Sequence, residues 1–364
     1  MQSLQKNLLA KHLPALDGFR AIAVLIVVAF HYCKLPFAPD GSHGVLIFFV
    51  LSGFLITWLL LKEHDECGEI SLRDFYMRRA RRILPAFCVS SLLAIGIWIA
   101  CGNLIRWEEV VSAAAFVSNY YYIFSHQDSG KVLGIAWSLA VEEQFYVLWP
   151  LLLITLVKKR RTLVLSLCAL IVGVWIYRPI LWFGFHDSWE HLLYGFDTRL
   201  DHLMIGCLGA ILLRYNMLRG FWNRIVNPAA MLAVAGLFIG CMALDDRFGL
   251  DFRFGVGFMV EPILVMILMA QAIALTRSPV AAWLNFRPAQ FLGKLSYSLY
   301  LYHPPALVLT MGLLPAARLR VTMPLAILLL LSFAMASFHY VEEPWREGRF
   351  TAGLATRVKN AFGY

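Results

Sequence analysis

Charge is what this sequence has least of. Charged side chains occupy 15% of its 364 positions, where a soluble domain of this size carries about 25%. That scarcity excludes an ordinary water-soluble globule. Metal-type cysteine spacing is missing too. The seven cysteines (Cys33, Cys67, Cys88, Cys101, Cys168, Cys207 and Cys241) form no CxxC or CxxH pattern and lie mostly in apolar segments. They read as small apolar fillers, so neither a metal site nor a disulfide framework is expected. The first apolar run follows Lys6 and Lys11 without a small-x-small cleavage site, which points to an uncleaved span rather than a removed signal peptide. No soluble block is expected after Tyr340, so the chain reads as one transmembrane domain over 1–364.

What the sequence does have is hydrophobic length. Hydrophobic residues make up 60% of it and its mean hydropathy is +0.68. Apolar runs of about 18 residues recur, each long enough to cross a bilayer. The expected fold is an all-α polytopic membrane bundle of about ten transmembrane helices, near 13–33, 44–62, 83–101, 137–157, 162–181, 199–214, 228–244, 255–275, 293–313 and 321–341. A short turn with Pro36, Pro39 and Asp40 follows the first. Ser52-Gly53, at the centre of the second, permits a kink or close helix approach. The stretch 62–82 reads as a polar loop ending in MRRARR. The apolar piece 109–123 is short for a span and reads as re-entrant or interfacial.

Cationic loops orient the bundle. With 109–123 not crossing, about 22 of the 32 Lys and Arg fall in cytoplasmic segments and about 7 outside. The clusters 78–82, 158–161, 214–224 and 346–359 then lie inside, with both termini. The net charge of +9 follows from this bias, and no nucleic-acid partner is implied. The lipid bilayer is the partner the composition demands.

Ionisable residues inside spans are costly and mark polar cavities or pairs. Arg20 and His31 sit in the first span, LDGFRAIAVLIVVAFHYC. Eleven residues apart, they are about 20° past three full turns and roughly 16 Å apart along the axis, so they share one helix stripe. Glu142-Glu143 lies one to two turns below the external surface of the fourth span. Asp197, Arg199 and Asp201 open another span from outside. His303 lies at mid-depth, before Pro304-Pro305. A histidine near desolvated carboxylates suits a general base for a hydroxyl, or a nucleophile that carries an acyl group itself. Glu142 or Asp201 could fix its tautomer. Arg78, Arg79, Arg81 and Arg82 form guanidinium forks suited to phosphate. Each feature also has a plain structural reading. MRRARR can be a topology anchor, and Glu142-Glu143 a pair meeting Arg199. Arg199 and Asp201 can neutralise each other. His303 can satisfy a kinked backbone, and the stripe of Phe145, Tyr146 and Trp149 can be packing rather than a sugar platform.

Seven blocks in order carry a resemblance. They are the Arg20–His31 spacing, FFVLSGFLIT at 48–57, RRARRILP at 78–85, WSLAVEEQFYVLWP at 137–150, TRLDHLMIG at 198–206, LGKLSYSLYLYHPP at 292–305 and VEEPWR at 341–346. Together they resemble the acyltransferase-3 family of integral membrane acyltransferases. The resemblance implies transfer of an acyl group, commonly acetyl, from cytoplasmic acyl-CoA to a hydroxyl of an extracytoplasmic glycan, in the bacterial cytoplasmic (inner) membrane. It makes His31 the central catalytic residue, with Glu142, Glu143 and Asp201 orienting it or acting on the acceptor. Arg20 and the quartet Arg78, Arg79, Arg81 and Arg82 would serve the donor, and Arg199, Tyr146 and His303 the substrate. No metal is implied. Some family members carry a fused extracytoplasmic esterase-like domain, and none is expected in this chain. Either it transfers directly to the carbohydrate acceptor or a separate extracytoplasmic partner finishes the reaction. The competing reading is a carrier or flippase for a glycan or lipid-linked sugar, without chemistry. Against it, the hydropathy shows no clear inverted repeat.

Overall fold

A computed structural model describes residues 4, 7–8, 13–33, 40–125, 131–315 and 319–348. Lys6, Lys11, the turn at Pro36 and Pro39, and the basic tail beyond 348 lie outside the described residues. Those described form helices and connecting turns, with no strand among them.

Each helix begins where its sequence offers a start signal. Helix α1 (Pro14–Tyr32) opens with proline at its first turn and Asp17 behind it, both favoured where backbone N–H groups lack partners. Helix α2 (Gly41–Cys67) is capped by Asp40, whose carboxylate accepts from the Ser42 N–H at 2.7 Å. It ends at Gly68, in the left-handed region at φ 80°. Helix α3 (Leu72–Ala100) is capped by Ser71. The expected polar loop 62–82 is therefore corrected. Only 68–71 separates the two helices, and Arg78, Arg79, Arg81 and Arg82 lie on α3 itself. The cap and the good helix propensity of Arg and Ala carry the helix through the charged run.

The segment 109–123 is broken. It forms α4 (Trp107–Ala114) and α5 (Ser118–Ser125), eight residues each, separated at Phe116, whose φ is 54°. Neither is long enough to span a bilayer. Then follow α6 (Ala136–Leu156), α7 (Arg160–Pro179), α8 (Trp189–Tyr194), α9 (Phe196–Arg214), α10 (Arg219–Ile225), α11 (Pro228–Phe248), α12 (Phe258–Ala274), α13 (Arg287–Leu313) and α14 (Leu319–Ser337). Single π-type turns follow α7 (Ile180–Gly184), precede α12 (Arg253–Gly257) and follow α14 (Phe338–Glu342). Among the described residues eight helices are long and apolar enough to cross a membrane. The two expected spans outside that set are α9 and α13. Helix α9 carries Asp197, Arg199, Asp201 and Arg214, and α13 has Arg287 and Lys294 in its first eight residues.

The chain divides into two compact units. The first comprises 1–70, 108–129 and 136–294. At its heart is α9, which carries Asp197, Arg199, Asp201 and Arg214 and packs against α2, α7 and α12. Such a helix is tolerable in lipid only when its charges are turned away from it, and Arg199, Asp201 and His202 are fully buried. Helices α2 and α9 approach backbone to backbone. A Cβ on Gly53 would lie 1.9 Å from the Leu203 carbonyl oxygen, and one on Gly206 would lie 2.1 Å from that of Val50. The Ser52-Gly53 step thus serves close approach, as small residues do at membrane helix crossings.

The second unit comprises 71–107, 130–135 and 295–364 and contains α3, most of α13, and α14. The Tyr297 hydroxyl donates to the Ile83 carbonyl at 2.9 Å and Tyr300 to that of Ile135 at 3.2 Å. Ser298 donates to the buried Glu342 carboxylate at 3.0 Å.

Candidate active site

The buried charges of the first unit gather at one pole. Arg178, at the end of α7, donates from Nη2 to Asp201 of α9 at 2.6 Å, and both are fully buried. Its Nε and Nη2 also reach the Thr198 carbonyl, at 3.0 and 2.7 Å. The Trp175 indole N–H donates to the second Asp201 oxygen at 3.1 Å. His43, one turn into α2, faces Glu261 of α12 at 3.5 Å and Asp245 of α11 at 3.7 Å. Arg253, in the π-type turn before α12, grips Asp245 through Nε and Nη2 and reaches Asp40 at 3.1 Å. These contacts bring the start of α2, the ends of α7 and α11, and the starts of α9 and α12 together. The end of α1 is beside them, since a Cβ on Gly41 would touch the Phe30 ring at 3.0 Å.

His31 is at that end of α1. Its Nδ1 lies 2.9 Å from the Val27 carbonyl oxygen. A carbonyl can only accept, so in the neutral ring Nδ1 carries the hydrogen and Nε2 carries the lone pair, the tautomer a base or nucleophile needs. Its ring meets Phe30 edge-on, with centroids 5.0 Å apart. Arg20 donates to Asp17 of the same helix at 3.2 Å.

Glu142 is a junction between helices. It accepts from Ser52 of α2 at 2.8 Å and from Tyr146, one turn on, at 3.2 Å. Glu143 is half-buried beside it. The Tyr146 ring is buried, so its hydroxyl serves the carboxylate while its body packs. Arg199 carries neither of the pairings considered for it. Asp201 is held by Arg178, and Glu142 by Ser52 and Tyr146. No nitrogen of the Arg199 side chain has a hydrogen-bond partner among the described residues. Its Cζ lies over the Phe258 ring at 4.0 Å and over Phe49 at 5.5 Å.

In the second unit, His303 is fully buried, with Nδ1 2.7 Å from the Tyr300 carbonyl. In an unbroken helix that carbonyl would accept from residue 304, but Pro304 has no N–H. The imidazole replaces the lost donor, which accounts for a histidine before two prolines. Arg79 lies over Phe75 at 5.8 Å, near the start of α3.

Sequence reasoning passed over His43, Arg178, His202, Asp245, Arg253 and Glu261. Glu261 and Arg178 carried a usable signal, being single charges inside apolar runs. His43 and Asp245 sit close to span ends, where sequence does not separate a buried group from a solvated one. Among the described residues no three His, Cys, Asp or Glu are arranged to hold a metal ion.

Beyond the spans, His191 of α8 stands between two carboxylates, Asp187 at 2.6 Å and Asp197 at 3.1 Å. The hydrogen bond to Asp197 leads in raising its pKa to about 9, with Asp187 adding to it against partial burial. At the opposite pole of the first unit, a cleft of about 400 Å³ is lined by Pro14, Thr276, Arg277, Asn285 and Gln290 among others. Asn7 borders it and donates to the Ile273 carbonyl at 2.7 Å.

A bundle of apolar helices around buried ion pairs defines a multi-pass membrane protein with a polar site at one pole of its first unit. Residues 13–339 match the acyltransferase domain of the acyltransferase-3 family, and the chain belongs to that family. It is 31% identical to the peptidoglycan O-acetyltransferase OatA of Listeria monocytogenes, across 93% of this chain and 57% of that protein. It is 32% identical to YrhL of Bacillus subtilis, named as a candidate peptidoglycan O-acetyltransferase, across 93% of this chain and 56% of that one. The chain thus spans just under three fifths of the length of these relatives. No solved structure matches it.

Proposed function

We propose that the protein is a membrane O-acyltransferase that moves an acyl group, acetyl by analogy with its relatives, from cytoplasmic acyl-CoA to a hydroxyl of an extracytoplasmic glycan. The observation that carries this reading is the His31–Val27 contact, which presents a basic imidazole nitrogen at the pole where the buried charges collect. With ten spans and both termini in the cytoplasm, that pole faces outward. In one route the imidazole takes the hydroxyl proton as the oxygen attacks the thioester carbonyl. The carbon–sulfur bond breaks and the proton passes to the departing thiolate. In the other, the imidazole nitrogen attacks the thioester carbonyl, the carbon–sulfur bond breaks and CoA leaves as the thiol with the imidazole's proton. The hydroxyl then attacks the acyl-imidazole, whose carbon–nitrogen bond breaks as the ring regains a proton from that hydroxyl. Glu142, Glu143 and Asp201 set the field around the acceptor. Tyr146 holds Glu142, Arg199 acts on the acceptor, and His303 shapes the backbone of α13. Arg20 supports the donor, and Arg78, Arg79, Arg81 and Arg82 on α3 would meet its phosphates. The cleft beside Arg277 is a second place where part of the donor could rest.

The test uses purified protein in lipid nanodiscs with labelled acetyl-CoA and a cell-wall glycan extract. Acceptor-dependent release of free CoA, lost in His31→Ala at unchanged folding and insertion, is the expected result. Full transfer by His31→Ala would overturn the proposal. Movement of glycan with CoA thioester intact would identify a carrier instead.

A further inference from the structure

Arg199 is fully buried, permanently charged, and without a hydrogen bond to any of its nitrogens among the described residues. A buried group left in that state costs more than a neutral amide would, because its charge is stripped of water. The two aromatic rings beside it attract the cation but accept no conventional hydrogen bonds from its N–H edge.

The neighbouring charges are already matched. Arg253 holds Asp245 and Asp40, and Arg178 holds Asp201. Glu261 faces His43 with one oxygen, and its other oxygen has no partner among the described residues. The charges of Arg178, Asp201, Arg253 and Glu261 all act on Arg199, yet none of these groups bonds to it. Among the described residues Arg199 is therefore the one arginine of this cluster without a carboxylate of its own. Around it are further atoms of both kinds with no partner among those residues. Arg178 Nη1 is a donor. Glu261 Oε2 is an acceptor, and so is His202 Nδ1, because His202 Nε2 is 3.2 Å from the Phe258 carbonyl and must carry the ring hydrogen.

A ligand answering this set supplies a planar anion for the guanidinium fork and hydroxyl hydrogens for Glu261 and His202. We infer that Arg199 binds a carboxylate of the acceptor, and that the acceptor belongs to the acidic sugars. This rests on the acyltransferase reading and adds the chemical class of its acceptor.

The experiment measures the thermal midpoint of the full-length protein in nanodiscs with glucuronate, with glucose, and with inorganic phosphate. Glucuronate is expected to raise the midpoint by about 3 °C well above its Kd, with glucose and phosphate giving little. Arg199→Met removes an uncompensated buried charge at similar volume. It should raise the midpoint without ligand and abolish the response to glucuronate. Arg199→Lys keeps the charge without the fork and should respond more weakly than the parent. If Arg199→Met fails to fold, Arg199→Lys alone decides, and a response equal to the parent's overturns the inference. So do equal responses to glucose and glucuronate, a stronger response to phosphate, or no response to glucuronate at any concentration, which would leave buried water as the partner of Arg199. CoA release from acetyl-CoA is read on the same samples. His31-dependent release that persists in Arg199→Met with a glucuronate acceptor sinks this inference and leaves the acyltransferase reading standing.

Discussion

The Nη2 of Arg178 and the Oδ1 of Asp201 lie 2.6 Å apart with neither side chain exposed, joining the end of α7 to the second turn of α9. Both charges have left water, so the pair holds only while both members are present. Arg178→Ala or Asp201→Ala alone strands the other charge and should cost about 3–5 kcal/mol. The double substitution should recover a substantial part of that loss. Denaturant or thermal unfolding in detergent, arranged as a double-mutant cycle, measures the coupling. A double variant as unstable as the sum of the singles would show that the pair does not act as a unit.

Glu142 is held from two directions, by Ser52 at 2.8 Å and Tyr146 at 3.2 Å. If the carboxylate works on the acceptor, its aim matters more than the stability of the fold. Ser52→Ala and Tyr146→Phe should each lower kcat about tenfold, the equivalent of one charge-assisted hydrogen bond. KM for the acyl donor should be unchanged, and the unfolding midpoint should move little. Loss of stability with kcat intact would make Glu142 a strut rather than a positioned group.

The close approach of α2 and α9 at mid-span rests on Gly53 and Gly206, while Arg214 and Asp65 pair the same two helices near their ends at 2.7 Å. A Cβ on Gly53 would sit 1.9 Å from the Leu203 carbonyl oxygen, a backbone atom that cannot turn aside. Gly53→Ala should therefore destabilise the protein by about 3 kcal/mol and reduce the yield of folded protein from membranes. Gly96→Ala, which meets nothing within 4 Å, is the control and should be neutral. Equal behaviour of the two would mean that the helices separate without penalty.

These cases show what could be read in the sequence and what could not. Apolar length gave away the helices, because lipid accepts little else. The Ser52-Gly53 crossing was legible for the same reason, since small residues at mid-span have few other uses. The helical hairpin at 68–71 was not, because a charged run such as MRRARR reads as loop by polarity while its own propensity is helical. Pair identities were beyond reach. Arg199 and Asp201 lie two residues apart, and local spacing suggested a mutual pair. The observed partner of Asp201 is Arg178, on another helix, and a partner from elsewhere in the bundle leaves no mark in the spacing. His303 was legible through Pro304, whose missing N–H defines what the imidazole replaces.

His191 offers a test in a different variable, pH. Both of its ring nitrogens face carboxylates, Asp187 at 2.6 Å and Asp197 at 3.1 Å, and only an imidazolium donates to both. The hydrogen bond to Asp197, seconded by Asp187, raises its pKa from 6.5 to about 9 in the folded protein. A folded pKa above the unfolded one means that the folded state holds the proton more tightly. The contribution to stability is then fully present below about pH 6.5 and is lost as pH rises through about 9. The unfolding midpoint of the parent should therefore fall across that window. His191→Gln, which cannot become a cation, should flatten the decline and match the parent more closely at the alkaline end than at the acidic end. The carboxylates are partly open to solvent, with Asp197 at 40% exposure, so added salt should shrink the difference. A parent whose midpoint stays level between pH 6.5 and 9, or a His191→Gln variant with the same slope, would show that the proton on this ring does not hold α8 against the start of α9.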